Sequence, residues 1–155
     1  MREETCCFSG HRDINVYNAM LLSLKMKKEI EELITKGFKN FICGGALGFD
    51  TIAALTVLKA KKKYSNIKLI LVLPCENQTK DWQQKDKEIY EKIKEQSDET
   101  VYISKSYYNG CMLKRNRYMV DKSSYCIYYL RKNYGGTAYT VKYAKERGLE
   151  LKNMA

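Results

Sequence analysis

The sequence contains few of the residues that mark metal sites, membrane spans or secreted frameworks. It has one histidine (His11), and its six cysteines form no Cys-x-x-Cys pair, so we expect no metal site. The cysteines are scattered in or beside apolar runs, which is typical of reduced thiols that pack as small hydrophobic side chains. The longest apolar runs, such as residues 69–73, have the length of a strand and are too short for a membrane span. The first strand follows residues 1–4 with no apolar signal segment, and we therefore expect a cytoplasmic protein.

Positive charge predominates. The net charge is +10, from 28 Lys and Arg against 18 Asp and Glu. This excess favours an anionic partner, which can be a nucleic acid, a phosphate-bearing ligand or an acidic protein. Much of it is lysine on amphipathic helices, as at residues 59–63, where a solvated helix face is the more common explanation. The charge therefore does not select one partner.

Apolar runs of strand length alternate with segments of helical periodicity along the whole chain. Residues 67–73 are almost wholly aliphatic, which is typical of a strand buried on both faces of a parallel sheet, and we expect this strand to end at Pro74. The patterns predict strands at 5–9, 38–43, 67–73, 100–104 and 125–130, with a short one at 149–152, and helices at 16–36, 50–63, 82–96, 111–122 and 136–147. They indicate one α/β domain over residues 1–155, Rossmann-like and doubly wound, with a mainly parallel sheet of five or six strands and helices on both faces.

Unusual residues follow four of the predicted strands, in segments 9–12, 44–50, 74–78 and 133–137. In open parallel sheets, ligands bind beyond the carboxyl ends of the strands. We therefore predict a ligand site there, formed by residues of these segments and of the fourth helix. The candidate ligand-binding residues are Ser9, Gly10, His11, Arg12, Gly44, Gly45, Gly48, Asp50, Pro74, Glu76, Trp82, Arg115, Asn116, Arg117, Gly135, Gly136 and Thr137.

Two of these segments are rich in glycine. Residues 44–50 (GGALGFD) join a strand to a helix, where backbone N–H groups can approach an anion, although neither a complete G-x-G-x-x-G nor a Gly-Lys-Ser/Thr sequence is present. Asp50 can accept a hydrogen bond from a ribose hydroxyl or cap the helix. Gly135-Gly136-Thr137 is either a second phosphate loop or a plain loop in which glycine relieves backbone strain.

Several side chains have a binding interpretation and a structural one. Arg12 can bind a phosphate through two hydrogen bonds. His11 is a structural hydrogen-bonding residue or, less favoured, a catalyst. The arginines of Arg115-Asn116-Arg117 point either toward the site or to solvent. Trp82 can stack on a base or pack as a partly buried structural residue.

Taken in order, the motifs at 9–12, 44–50, 73–75, 111–119 and 135–137 resemble those of the SLOG superfamily and, within it, the short DUF1273-type proteins similar to YoqJ and YpsA. The superfamily also includes the Lonely Guy phosphoribohydrolases, DprA, and sensor domains for signals of the cyclic ADP-ribose type in antiphage systems. The resemblance implies a Rossmann-like fold, a nucleotide-derived ligand without a further cofactor, and a homo-oligomer.

The sequence departs from the phosphoribohydrolases at one catalytic position. Those enzymes carry acidic residues after a Gly-Thr pair, whereas this chain has Ala138, Tyr139 and Thr140 there. The resemblance therefore implies ligand binding more strongly than it implies hydrolysis.

The favoured function is the binding of a nucleotide or a nucleotide-derived molecule, either an ADP-ribose-like compound or a cyclic nucleotide. The protein would act as a sensor or as a sequestering protein, including a phage-encoded one that acts against host immune signalling. One alternative is a phosphoribohydrolase-like N-glycosidase in which Glu76 substitutes for the missing acid. The other, which the charge suits, is a DprA-like DNA-binding protein. We expect no membrane partner.

Overall fold

A computed structural model describes residues 1–155 and shows alternating strands and helices. The strands are β1 (Thr5–Gly10), β2 (Asn40–Cys43), β3 (Lys68–Cys75), β4 (Glu99–Ser104), β5 (Tyr125–Tyr129) and β6 (Glu150–Asn153). The helices are α1 (Val16–Thr35), α2 (Phe49–Lys63), α3 (Gln84–Gln96), α4 (Cys111–Asp121) and α5 (Gly136–Glu146), and a 3₁₀ turn (Arg2–Glu4) precedes β1. None of the helices combines the length and the apolar composition that a membrane span requires.

The six strands form one sheet in which every pair of neighbours is parallel. Their order is β4-β3-β2-β1-β5-β6, so the chain moves outward from β1 in one direction and then returns to continue on its other side. The predicted Rossmann-like, doubly wound fold is therefore confirmed. The order reverses between β1 and β5, and this is the position at which open parallel sheets leave a crevice.

Each face of the sheet has its own apolar core. Phe8, Phe41 and Leu71 pack beneath α1, α2 and α3, whereas Cys7 and Ile42 pack beneath α4 and α5. Neighbouring residues of a strand point to opposite faces, so a strand covered on both sides must be apolar at nearly every position. This explains the continuous aliphatic run of β3. All six cysteines are buried.

The predicted elements agree with the observed ones to within about two residues at most ends, but the expectation that Pro74 ends the third strand was wrong. β3 continues through Pro74 to Cys75, which lies opposite Ser104 of β4. β2 has already ended at Cys43, opposite Leu71, so the last residues of β3 have a neighbouring strand on one side only. Proline lacks an N–H donor and is tolerated where a strand is paired on one side.

Gly48 joins the start of α2 to the loop that follows β1. Its φ is +72°, and a Cβ atom there would lie 2.1 Å from the carbonyl oxygen of Arg12. Next to it, the N–H of Phe49 donates to the carbonyl oxygen of His11 at 3.1 Å. The two loops therefore pack backbone to backbone, and only glycine fits at their contact.

We predict that Gly48→Ala lowers the free energy of unfolding by about 2–4 kcal/mol, because it combines an unfavourable φ with a backbone clash. Gly37→Ala is the matched control. Gly37 has a φ of +100°, but a Cβ atom there would meet nothing within 4 Å, so only the conformational cost of about 1 kcal/mol applies. Urea denaturation measures both variants, and equal losses would contradict the importance of the contact with Arg12.

Candidate ligand-binding site

A cavity of about 450 Å³ lies at the carboxyl ends of β1 and β5, over the point where the strand order reverses. This volume is within the range of small-molecule sites. The lining residues come from the end of β1, from the loops that follow β1, β2 and β5, and from the first two turns of α2, α4 and α5. They are Phe8, Ser9, Gly10, His11, Arg12, Asp13, Ala46, Asp50, Met112, Leu113, Arg115, Asn116, Arg131, Lys132, Tyr134, Gly135, Gly136 and Thr137.

The amino termini of α2, α4 and α5 meet at this cavity. Each helix has a glycine at its N-cap position, namely Gly48, Gly110 and Gly135, and none of them has a side-chain cap. The first N–H groups of a helix have no intrahelical acceptor, and the helix dipole places partial positive charge there. The convergence of three such ends favours an anionic group in the cavity.

Cationic side chains outnumber carboxylates in the lining. Arg12, Arg115, Arg131 and Lys132 line the cavity together with two acids, Asp13 and Asp50. The Arg12 guanidinium is exposed, and its Nη2 lies 3.4 Å from the sulfur of Met112. Arg12 forms no salt bridge within the chain. Its charge is thus available to a ligand.

Arg115 lies under the cavity with its guanidinium buried. Nη1 donates a hydrogen bond to the carbonyl oxygen of Gly44 and another, at 3.5 Å, to that of Val72, while Nε donates to Oδ1 of Asn116 at 2.7 Å. Burial lowers the pKa of Arg115, and the charge of Asp50 opposes this shift. A Cβ atom on Gly44 would lie 2.7 Å from Nη1, so this glycine leaves room for the guanidinium.

Asp50 is a buried carboxylate with an unused oxygen. Oδ2 accepts a hydrogen bond from the N–H of Ala46 at 3.2 Å, whereas Oδ1 is buried and has no partner. Burial raises the pKa of Asp50 to about 6, against the opposing effects of Arg115, the Ala46 N–H and Arg12. The N-cap residue of α2 is Gly48, and the N–H that Asp50 binds belongs to the preceding loop. Asp50 therefore does not act as the helix cap, which was one of its two interpretations.

His11 connects the loops that follow β1 and β5. Its Nε2 accepts a hydrogen bond from the N–H of Arg131 at 3.0 Å, and its ring meets the edge of Tyr129. Burial lowers the pKa of His11, and the charges of Lys132 and Arg131 lower it further. An imidazole that accepts at Nε2 is neutral and carries its proton on Nδ1. This geometry supports the structural interpretation of His11.

The structure brings some of the predicted site residues together and leaves others outside. Those that line the cavity are Ser9, Gly10, His11, Arg12, Asp50, Arg115, Asn116, Gly135, Gly136 and Thr137. Those that do not are Gly44, Gly45, Gly48, Pro74, Glu76, Trp82 and Arg117. The binding roles of all of them remain predictions.

The outlying residues have other neighbours. A Cβ atom on Gly45 would lie 2.4 Å from Leu73, so this glycine permits close packing. Glu76 is exposed, and Trp82 packs edge-on against Tyr90 with ring centroids 5.4 Å apart. Arg117 is exposed on α4, so the two arginines of that helix differ: Arg115 lies beside the cavity and Arg117 does not.

Sequence reasoning missed several lining residues, among them Asp13, Met112, Arg131, Lys132 and Tyr134. One signal was available. Arg131 and Lys132 stand between the end of β5 and the glycines that begin α5, and any side chain in such a short connection lies near the carboxyl edge of the sheet.

The fold and the cavity together define a Rossmann-like α/β protein with a cationic crevice at the reversal of its strand order. The model of the YpsA family, described as the YspA SLOG family, matches residues 6–154. The chain belongs to this family.

Similar sequences include a prophage-derived protein and several UPF0398 proteins. The SPbeta prophage-derived protein YoqJ of Bacillus subtilis (strain 168) is 35% identical, over 83% of this chain and 84% of its own length. A UPF0398 protein of Halalkalibacterium halodurans is 32% identical over 78% of this chain. A UPF0398 protein of Brevibacillus brevis is 25% identical over 82% of this chain. The matches span 66% and 69% of the two UPF0398 proteins.

Two solved structures share the fold. DNA processing protein A (DprA) of Streptococcus pneumoniae superposes with a TM-score of 0.70 at 16% identity, over 97% of this chain and 50% of its own length. DprA of Helicobacter pylori, whose structure concerns its binding of single-stranded DNA, superposes with a TM-score of 0.69 at 19% identity. It is matched over 65% of its length and 98% of this chain. At these identities the likeness shows the fold.

We predict that Asp50→Asn changes how stability depends on pH. An unfolded aspartate ionises near pH 3.8 and the folded one near pH 6, so ionisation of Asp50 destabilises the native protein progressively between these values. Relative to the variant, the wild-type protein should lose about 2–3 kcal/mol as the pH rises through this window. Urea denaturation at a series of pH values measures the difference, and parallel curves for the two proteins would show that the Asp50 pKa is not raised.

Proposed function

We propose that this protein binds a nucleotide-derived small molecule, with a phosphate group among its cationic side chains and helix ends and a ribose hydroxyl on Asp50. The observation that carries the proposal is the unpartnered Oδ1 of Asp50 in a cavity that is otherwise cationic. A buried acceptor without a donor is costly, and a ligand hydroxyl would supply the donor. Phosphates and ribose hydroxyls occur together in nucleotides.

The size and polarity of the lining support this class of ligand. Exposed Tyr134 and the side chains of Met112 and Leu113 provide apolar surface beside the charged groups. A nucleotide-derived ligand needs both kinds of surface, because its base is flat and weakly polar while its phosphates are anionic. ADP-ribose and cyclic nucleotides are the members of this class that we propose first.

Binding without cleavage is the form of the function that we propose. Cleavage of a glycosidic bond develops positive charge on the ribose, and enzymes usually place a carboxylate against it. The carboxylates in the cavity lining are Asp13, which is exposed, and Asp50, which the proposal assigns to a ribose hydroxyl, and Glu76, the substitute that the sequence suggested, is exposed and lies outside. We therefore propose a sensor or a sequestering protein. The prophage origin of YoqJ supports a phage-encoded role against host signalling.

Single-stranded DNA is the second candidate partner, because the H. pylori DprA that shares this fold binds it. The net charge of +10 also suits a nucleic acid. Binding that depends on phosphate contacts alone falls steeply with salt. Binding to single-stranded DNA that persists at high salt and is lost on Arg12→Ala would favour this candidate over the small-molecule ligand.

The direct experiment is mass spectrometry of small molecules released by heating the purified protein. We expect a compound that contains phosphate and ribose. The same purification of Asp50→Ala is the control, since this variant lacks the proposed ribose acceptor and should release less of the compound. Equal recovery from both proteins would contradict the role of Asp50.

We predict that Arg12→Ala weakens the binding of ADP-ribose by about 10- to 150-fold, the range for loss of a charge-assisted hydrogen bond. The folded protein should keep its stability because the side chain is exposed. Arg117→Ala is the matched control, since it removes the same charge from a position outside the cavity. Isothermal titration calorimetry measures both, and equal weakening would mean that only the overall charge matters.

We predict no release of base when the protein is incubated with nucleoside monophosphates, NAD or ADP-ribose, because the acidic residue of the phosphoribohydrolases is absent. Chromatography of the mixtures detects free base. If base appears, Glu76→Gln and Asp13→Asn identify the acid responsible. Such a result would replace the binding function by an enzymatic one.

A further inference from the structure

An apolar row runs along the exposed side of α1. Val16, Met20 and Leu24 follow one another at intervals of four residues, so they lie on the same side of the helix. Tyr17 lies beside them, and these four side chains are between 67% and 80% exposed. Residues 16–24 include no Lys, Arg, Asp or Glu, although 30% of the chain is charged. Outward-facing positions of a surface helix are normally polar, so this row indicates a contact surface.

The row continues into a groove of about 430 Å³ between α1 and α2. Leu24 belongs to both the row and the groove, Leu55 lines the groove from α2, and Ile30 and Ile52 provide apolar surface inside it. The row together with the groove is named the α1–α2 trough. Residues 16–31 of α1 span about 22 Å, so the trough is about four helical turns long.

Lysines line the other end of the trough. Lys27 lies on α1, and Lys59 and Lys63 lie on α2, all closer to the carboxyl ends of their helices than Leu24 and Leu55 are. The two helices run in the same direction, because each of them connects neighbouring parallel strands of the sheet. The trough therefore has an apolar end and a basic end.

Two of these lysines have no acidic partner. Glu31 is the one acid in the lining of the groove, and its Oε2 lies 3.3 Å from Nζ of Lys63 and accepts a hydrogen bond from the hydroxyl of Tyr64 at 2.9 Å. Lys27 and Lys59 form no salt bridge. Their charges are available to an acidic group of a partner.

We propose that the α1–α2 trough binds an amphipathic helix of another protein, whose apolar face lies on Met20 and Leu24 and whose acidic first turn lies against Lys27 and Lys59. A third helix can pack into the groove between two helices, and an amphipathic helix in an apolar groove is a common mode of recognition. The orientation follows from charge. The carboxyl ends of α1 and α2 carry partial negative charge, so the amino end of a third helix, which is positive and favours acidic side chains, is stabilised there.

The position of the charges favours this partner over two other occupants. A second copy of the chain also has a net charge of +10 and would bring the same unpaired lysines to the contact. A helix that lies on an anionic bilayer carries basic residues along its whole polar face, whereas residues 16–24 have none. An elongated partner with its acids at one end matches the trough. The proposal does not depend on the ligand of the cavity.

Fluorescence anisotropy with the full-length protein and two designed peptides tests the proposal. Both peptides have about 16 residues, the length that spans the trough, with one composition and one stripe of leucines. One peptide carries its glutamates in the first turn, and the other carries them in the last turn. The first peptide should bind about three- to tenfold more tightly, because only its acidic end meets the lysines with the favourable direction of the helix dipoles.

Reversing the lysines shows whether they cause this preference. The double variant Lys27→Glu, Lys59→Glu should bind the two peptides with equal affinity or favour the second one. Any difference in helicity between the peptides is the same for both proteins and cancels in this comparison. The double variant Lys85→Glu, Lys92→Glu is the matched control, because it reverses two exposed charges on α3 and should keep the preference.

The apolar end of the trough has its own variant. Leu24→Glu replaces buried apolar surface in the complex by a charge and should weaken the binding of both peptides by about tenfold or more. Ile89→Glu is the matched control, since Ile89 is an exposed apolar residue on α3, outside the trough. It should leave both affinities unchanged.

Four outcomes would overturn the proposal. Two are the absence of peptide binding at millimolar concentration and a preference that survives reversal of Lys27 and Lys59. The others come from sedimentation velocity of the protein alone and from its co-sedimentation with vesicles of phosphatidylglycerol and phosphatidylcholine. A dimer that dissociates on Leu24→Glu, or vesicle binding that this variant abolishes, would mean that the trough binds a second copy or a bilayer instead.

Discussion

The buried guanidinium of Arg115 determines how the elements around the cavity are arranged. Burying a positive charge costs several kcal/mol unless its N–H groups are bonded and a counter-charge lies near. Gly44, Val72 and Asn116 accept its hydrogen bonds, and Asp50 provides the counter-charge. These acceptors belong to the loop after β2, to β3 and to α4 itself. The guanidinium therefore ties α4, which packs on one face of the sheet, to the loop that begins α2 on the other face, and it fixes where the helix ends meet.

The fold could be predicted because its main signals are local and repeat along the chain. Strand-length apolar runs alternate with helical periodicity, and parallel sheets covered on both faces need strands such as β3 that are apolar throughout. The ends of elements were less predictable because neighbouring strands decide them. β3 continues past Pro74 because β4 continues beside it, and the residues of β3 alone do not indicate how far β4 extends.

The cavity lies at the edge of the sheet where the sequence predicts a ligand site, but the directions of its side chains could not be read from the loops alone. Arg115 and Arg117 are two residues apart on a helix, so they point to nearly opposite sides. Buried Cys111 and Met119 lie four residues before and after Arg115, and this spacing was a usable signal that Arg115 belongs to the inner face. The glycines at 44 and 45 were interpreted as part of a phosphate-binding loop, whereas their tightest contacts are with Arg115 and Leu73. Such contacts join segments far apart in the sequence.

The charges of the cavity are divided by depth, and this division bears on the choice between a small ligand and a nucleic acid. Arg12, Arg131 and Lys132 are exposed, while Asp50 and Arg115 are buried. At neutral pH Asp50 is mostly ionised, since its pKa is about 6, but its charge faces Arg115 within the protein. A nucleic acid backbone could use the exposed cations and would leave Oδ1 of Asp50 without a donor. A compact ligand with a phosphate at the mouth of the cavity and a hydroxyl inside can bind both the exposed cations and the buried Asp50. The depth of Asp50 therefore favours a nucleotide-derived molecule over a polymer.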